Sequence, residues 1–217
     1  MNCVILSNTC TGKVMYTMAS PGVSQFSIDY PSPLIATLFV DDMGFVRFVK
    51  DYDYYPRQVP EFVKPCEGAF YRDTGDVYFG HEVHPVMRLG DVEIHWIHEN
   101  VGSENAILRK WHGRIERGRG MPRVAVLSAS ELLNLHAPAD RDLLRDEFMK
   151  VGMPSLMLSE RAEDVVNVPN HRCDCVPGWS LHNQWDRDNA FFPVWNHRPT
   201  VAAILLSKIP KVLDIPK

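Results

Sequence analysis

No stretch of this sequence approaches the roughly 20 consecutive apolar residues a bilayer-spanning helix needs. The N-terminus also lacks the basic segment and apolar core of a secretory signal, so a soluble, cytoplasmic protein is expected. The five cysteines, Cys3, Cys10, Cys66, Cys173 and Cys175, are odd in number and irregularly spaced. That argues against a disulfide framework and fits a reducing compartment. An excess of positive charge is missing too: 23 Lys and Arg stand against 27 Asp and Glu, a formal net charge of -4. Without a basic footprint for phosphate backbones, nucleic acid is not an expected partner. There is no G-x-G-x-x-G, no Walker lysine motif, no internal repeat and no low-complexity tract, so neither a dinucleotide nor an NTP fingerprint is present.

What remains is an ordinary globular composition, 45% hydrophobic and 23% charged over 217 residues. This is enough for one domain with a real core. "NCVIL" is a short continuous apolar run leading into "SNTCTG", as expected of a strand buried on both faces with a loop and a short helix from about Lys13. "LIATLFV", Leu34 to Val40, is expected to be a second buried strand. Asp41 then caps a helix carrying Met43, Val46 and Val49 on one stripe. Thr74-Gly75-Asp76 and Gly90-Asp91 each sit between extended runs and predict antiparallel hairpin pieces. Ser103 is the expected N-cap of a helix whose stripe is Ile107, Leu108, Trp111 and Ile115, with Arg109, Lys110, Arg114 and Arg117 off it. "RVAVLSAS", "DRDLLRDEFMKVG" and "PSLMLSE" then read as strand, helix and strand.

This alternation predicts the α/β class: a three-layer α/β/α sandwich with a mainly parallel mixed sheet and an antiparallel hairpin insertion. Residues 1–167 are expected to form the core domain. Residues 168–217 are expected to be an irregular Trp-rich segment and C-terminal helix packed on the same domain.

The histidines raise the question of a metal. His95 and His98 are three apart, as are His81 and His84. In an extended strand that spacing puts two rings on opposite faces, so no metal centre is expected from His95 and His98 together. Val92, Ile94 and Trp96 share one side of the strand, and Glu93, His95 and Ile97 the other. His95 is then either a site residue near a strand end or a structural histidine satisfied by backbone or by Glu93.

Ser7 to Gly12 follows the first strand, where open α/β sheets bind ligands. Asn8 and the backbone after Cys10 can hold an anion there. Cys10 is a nucleophile only if a base such as His95 lies within reach; a small buried cysteine capping a turn is the commoner arrangement. The expected geometry places the His95 ring within about 10 Å of the Cys10 sulfur, with Arg114 near the rim of the same cleft.

In the tail, His171, Cys173, Cys175 and His182 form a candidate zinc set, although Cys-x-Cys is tighter than usual spacing. Trp179, Trp185 and Trp195 alternate with amides and carboxylates. Flat aromatic faces beside such groups suit sugar rings, and equally they can pin a long loop to the domain. Asp186 to Asp188 repeats the Asp-Arg-Asp of positions 140 to 142, and paired aspartates can hold a divalent cation on a sugar-nucleotide.

Three segments, "VILSNTCTGKVMY", "SPLIATLFVDDMGFVRFV" and "GDVEIHWIHENVGSENAILRKWHGRI", resemble in order the signatures of a bacterial family often labelled exopolysaccharide-biosynthesis protein, formally a domain of unknown function. The matching positions are Ser7, Asn8, Cys10 and Gly12; Ser32 and Pro33; Asp91, Glu93, Ile94, His95, Trp96 and His98; and Lys110, Trp111 and Arg114. Thr11 departs from the pattern, which often has an aromatic there, and the Trp-rich tail lies outside it. The resemblance implies an α/β/α sandwich and a genomic link to capsule or surface-glycan synthesis.

The expectation drawn from these readings is a glycosyl or related group transferase using an activated sugar. His95 or Glu93 takes a proton from the acceptor hydroxyl, and Asn8 with Arg109 or Arg114 holds phosphate or carboxylate. Ser7, Gly12, Ser32, His98, Trp185 and Asp186 complete the candidate ligand-binding set. The expected partners are a nucleotide-sugar and a glycan acceptor, with Mg²⁺ or Mn²⁺ as the candidate cofactor. The alternatives are a non-catalytic glycan-binding or scaffold module and, more weakly, a hydrolase or acyltransferase built on Cys10.

Overall fold

The computed structural model describes residues 3–8, 30–35, 37–39, 41–67, 83–96, 103–129, 138–159, 166–168 and 171–175. Two sheets organise them. The first has the order β1-β6-β7-β9-β8, with β1 Val4–Ser7, β6 Arg123–Ala129, β7 Ser155–Ser159, β8 Val166–Val168 and β9 His171–Cys175. β1, β6, β7 and β9 pair in parallel, and β8 closes the edge antiparallel to β9. Val4 to Leu6, Val124 to Leu127 and Leu156 to Leu158 are all buried. This is the reason their runs are continuously apolar rather than alternating.

The second sheet is antiparallel, in the order β2-β5-β4-β3: β2 Thr37–Leu38, β3 Glu61–Glu67, β4 Val83–Leu89 and β5 Val92–Trp96. The expected α/β class, mainly parallel sheet and hairpin are present, and the hairpin belongs to this sheet. Its turn is Gly90-Asp91, with Leu89 opposite Val92 and Gly90 at φ 60, a conformation cheap only for glycine. The tip is anchored. The Tyr55 hydroxyl donates to Asp91 Oδ1 at 2.7 Å. Arg47 Nε sits 2.9 Å from Asp91 Oδ2 in an ion pair whose N–H is not aligned for a hydrogen bond.

Three α-helices, α1 Asp42–Lys50, α2 Glu104–Gly118 and α3 Pro138–Phe148, and a short 3-10 helix at Tyr55–Arg57 lie among the described residues. Ser103 caps α2, its side chain accepting from the Ala106 N–H. Asp41 caps α1 by position only, because its carboxylate turns to Arg47 at 3.0 Å. One apolar cluster joins both sheets through the helices, with Leu6 and Leu127 from the first sheet and Met87, Ile94 and Trp96 from the second. Phe45 and Phe48 of α1, Trp111 of α2 and Phe148 of α3 lie among them.

Two expectations are corrected. Leu34 and Ile35 are buried but lie in a turn, and among the described residues of the run only Thr37–Leu38 is strand, antiparallel to β5 rather than in the parallel sheet. The chain after Val168 does not lose regular structure at once, since β9 extends the parallel sheet beside β7. The Thr74-Gly75-Asp76 turn and the helices expected near Lys13 and after Pro199 lie outside the described residues.

Candidate functional site

Parallel strands end on a common edge, and β1 ends there at Ser7, followed at once by Asn8. Both residues are fully buried. The Asn8 carbonyl accepts from the Phe39 N–H at 2.9 Å, and its side-chain amide donates to Asp42 Oδ1 at 2.8 Å. One residue therefore ties the end of the first sheet to both the exit of β2 and the first turn of α1. The first residues after β1 and after β2, Asn8 and Phe39, therefore meet.

Asp42 is the most perturbed carboxyl at this junction. Burial, at 4% exposure, pushes its pKa up to about 7; the Asn8 hydrogen bond pulls it down and the neighbouring charge of Asp41 raises it further. A carboxyl that is half-ionised near neutral pH can both give and take a proton, the property acid–base catalysis requires. Apart from its partial reliance on the helix N-terminus, which favours the charged form, nothing cationic is bonded to it among the described residues.

His95 lies on the other flank of β2, with Leu38 and Val86 as its register partners on either side. Its ring is buried, and its Nδ1 is 2.9 Å from Nε2 of His84, a diagonal neighbour on β4. Desolvation lowers the His95 pKa to about 4, with the charge of His84 adding to that effect and Glu93 opposing it. His95 is thus neutral at physiological pH, with a histidine rather than Glu93 as its partner.

The other candidates divide. Ser32 is buried and accepts from the Leu34 N–H at 3.3 Å. Glu93 is exposed and paired with Arg88 at 2.6 Å. Arg109 is exposed on α2. Arg114, expected at a cleft rim, is instead 2% exposed: its Nη1 donates to the Ile35 carbonyl at 3.1 Å, and its guanidinium lies 5.8 Å from the Trp96 ring centre. In the helix Ile107, Trp111, Arg114 and Gly118 form the buried stripe. Cys10, Gly12, His98, Trp185 and Asp186 lie outside the described residues, so the His95–Cys10 distance is outside them as well. Of the zinc set, the His171 ring is 2.8 Å from the Ser155 hydroxyl, and His182 is outside.

Sequence reasoning missed Asp42 and the partnership of His84. The Asp41-Asp42 pair that closes the apolar run at 34–40 was the available signal for the first. The two-residue turn was the signal for the second, because Leu89 opposite Val92 sets Val86 opposite His95 and His84 on the same face.

The family model described as domain of unknown function (DUF1919) matches residues 1–120, more than half of the chain. No curated protein matches. The chain belongs to that family.

Proposed function

We propose that this member of the domain-of-unknown-function family DUF1919 is a group transferase of surface-glycan assembly. In this reading Asp42 is the general base that takes a proton from an acceptor hydroxyl. The single observation that supports it is the buried Asn8–Asp42 pair at the edge where β1 ends. Asn8 orients the carboxyl by donating to Oδ1, and burial raises its proton affinity into the working range of a base at neutral pH. Glu93 is a poorer base because it is exposed and ion-paired. His95 is held neutral and serves better as a hydrogen-bonding group than as a proton acceptor. β9 ends on the same sheet edge at Cys175, so the Trp-rich sequence from residue 176 onward starts from the side of the sheet where Asn8 lies. An activated sugar as nucleotide-sugar, with Mg²⁺ or Mn²⁺, and a glycan acceptor are the partners this reading requires.

Thermal shift of the full chain against a panel of nucleotide-sugars, with and without Mg²⁺ or Mn²⁺, is the first test. A ligand bound to the folded state raises Tm in proportion to RT ln(1 + [L]/Kd). The expected result is stabilisation by at least one nucleotide-sugar, and transfer or hydrolysis of that compound by the wild type. Asp42→Asn should keep the shift and lose turnover. Absence of any shift across the panel, or full turnover in Asp42→Asn, would reject the proposal.

A further inference from the structure

The second buried pair, His84 and His95, sits at the open end of the β4–β5 hairpin, away from the Gly90-Asp91 turn. The turn end is held firmly. Successive residue pairs run back from it, from Leu89–Val92 to Val86–His95, and Tyr55 and Arg47 tether the tip. The open end is held by less: among the described residues β5 meets β2 there through Trp96–Thr37 and His95–Leu38 only. The imidazoles close this end. His84 Nε2 and His95 Nδ1 are 2.9 Å apart, and the rings are tilted at 54° rather than stacked. Both side chains are buried, at 4% and 7% exposure, and so are Val86 and Leu38 beside them. A gap of this size between two ring nitrogens holds one hydrogen, donated by one ring and accepted by the other.

We propose that this pair is an acid-released latch: it holds β5 closed on β2 while the facing nitrogens share one hydrogen, and a charge on both rings forces them apart and lets β2 go. The reason is spacing and burial together. With both rings charged, two N–H groups would point at each other across 2.9 Å in a buried site, so like charge and a lost acceptor act in the same direction. A single charge is tolerable, since an imidazolium still donates to a neutral imidazole. The surroundings decide how much acid is needed. Glu93, two residues before His95 on the same strand face, favours the charged ring, but it is exposed and paired with Arg88. On β3, Cys66 stands opposite His84 and Glu61 opposite Arg88, while β2 brings no titratable group. Burial, with the charge of His84, outweighs Glu93 and lowers the His95 pKa from its ordinary 6.5 to about 4. The closed form thus binds the second proton less well than an opened, solvated form does. Closure is fully favoured above pH 6.5 and weakens as the pH falls from 6.5 towards 4. The released strand leads straight to Asn8, whose carbonyl accepts from the Phe39 N–H at the exit of β2. The latch operates whether or not Asp42 acts as a base.

The test is amide hydrogen exchange of the full chain at steps from pH 6.5 to 4, wild type beside His95→Gln. Comparing protection at each pH cancels groups that titrate in both proteins, Asp42 among them. The expected result is that protection of the β2 and β5 amides in the wild type, relative to the variant, falls by up to about tenfold per pH unit. β6 and β7 should keep theirs. In case the variant misfolds, spectra of the wild type give an independent reading: the Leu38–His95 cross-strand contact should vanish at the pH where imidazole ¹⁵N shifts show both rings charged. Relative protection of β2 that does not change with pH, a loss spread equally over β6 and β7, or a Leu38–His95 contact that survives with both rings charged would each overturn the proposal.

Discussion

Replacing Asp42 by Asn should make the protein more stable while removing the group proposed to do its chemistry. The carboxyl has an ordinary pKa of 3.8 and is raised to about 7 by burial. A raised folded-state pKa means the folded protein holds the proton more tightly than the unfolded chain. The associated stability is therefore fully present below pH 3.8 and is lost as the pH rises through about 7. At about 1.36 kcal/mol per unit, the 3.2 units between 3.8 and 7 amount to a loss of about 4 kcal/mol by pH 8. At pH 5, where the unfolded carboxyl is already mostly ionised, the loss is about 2 kcal/mol, and at pH 3 it vanishes. An asparagine keeps an oxygen to accept from the Asn8 amide, now 2.8 Å away, and never ionises. Urea denaturation of both proteins at pH 3, 5 and 8 should therefore show the Asn variant gaining on the wild type by roughly 0, 2 and 4 kcal/mol. A variant less stable than wild type at pH 8 would refute the reasoning, because it would mean the ionised carboxylate is a stabilised partner in the fold.

Two further substitutions test the packing and the site assignment. Gly118 ends α2 against the backbone, where an added Cβ would lie 2.6 Å from the Pro31 carbonyl oxygen and 2.9 Å from Val4 Cγ2. Gly118→Ala should thus lower stability by about 1–3 kcal/mol despite alanine's better helix propensity, read by chemical denaturation. Glu93→Gln removes one partner of an exposed ion pair with Arg88 and should change stability by no more than about 1 kcal/mol; it should leave turnover of any nucleotide-sugar identified by thermal shift intact.

Much of the fold was legible because local chemistry and tertiary demand agree in it. The continuous apolar runs at Val4–Leu6 and Leu156–Leu158 are buried on both faces, and Gly90-Asp91 makes the turn its residues favour. Where the two conflict, the reading failed in instructive ways. Ile107, Trp111, Arg114 and Gly118 fall at steps of four, three and four, the spacing of a buried helical stripe, yet the charge of Arg114 argued for the surface. A carbonyl and an aromatic face make its burial tolerable, and neither is visible along the chain. β9 reads His-Arg-Cys-Asp-Cys, with no β-branched residue, and its strand character comes from pairing with β7. Leu34 and Ile35 are apolar enough for a strand, but the turn they occupy is held by Thr37 donating to the Leu34 carbonyl and by Arg114 on the Ile35 carbonyl. The candidate site was half legible: the strand-end loop was located from Asn8, whereas the proton affinity of Asp42 depends on desolvation, a property of the folded surroundings.

The grip of Arg47 on the hairpin tip has a mechanical consequence. α1 meets the first sheet through its initial residue, Asp42, and the second sheet through Arg47, five residues on. At 1.5 Å per residue the two attachments are about 7–8 Å apart along a stiff rod. Tyr55 adds a second tether at the tip, which is the place where an isolated hairpin would fray first. The two sheets therefore cannot slide past one another without bending that rod or tearing a tether. The tethered hairpin is the one whose strands carry the His84–His95 pair, so α1 touches both the Asn8–Asp42 junction and the element that holds those imidazoles.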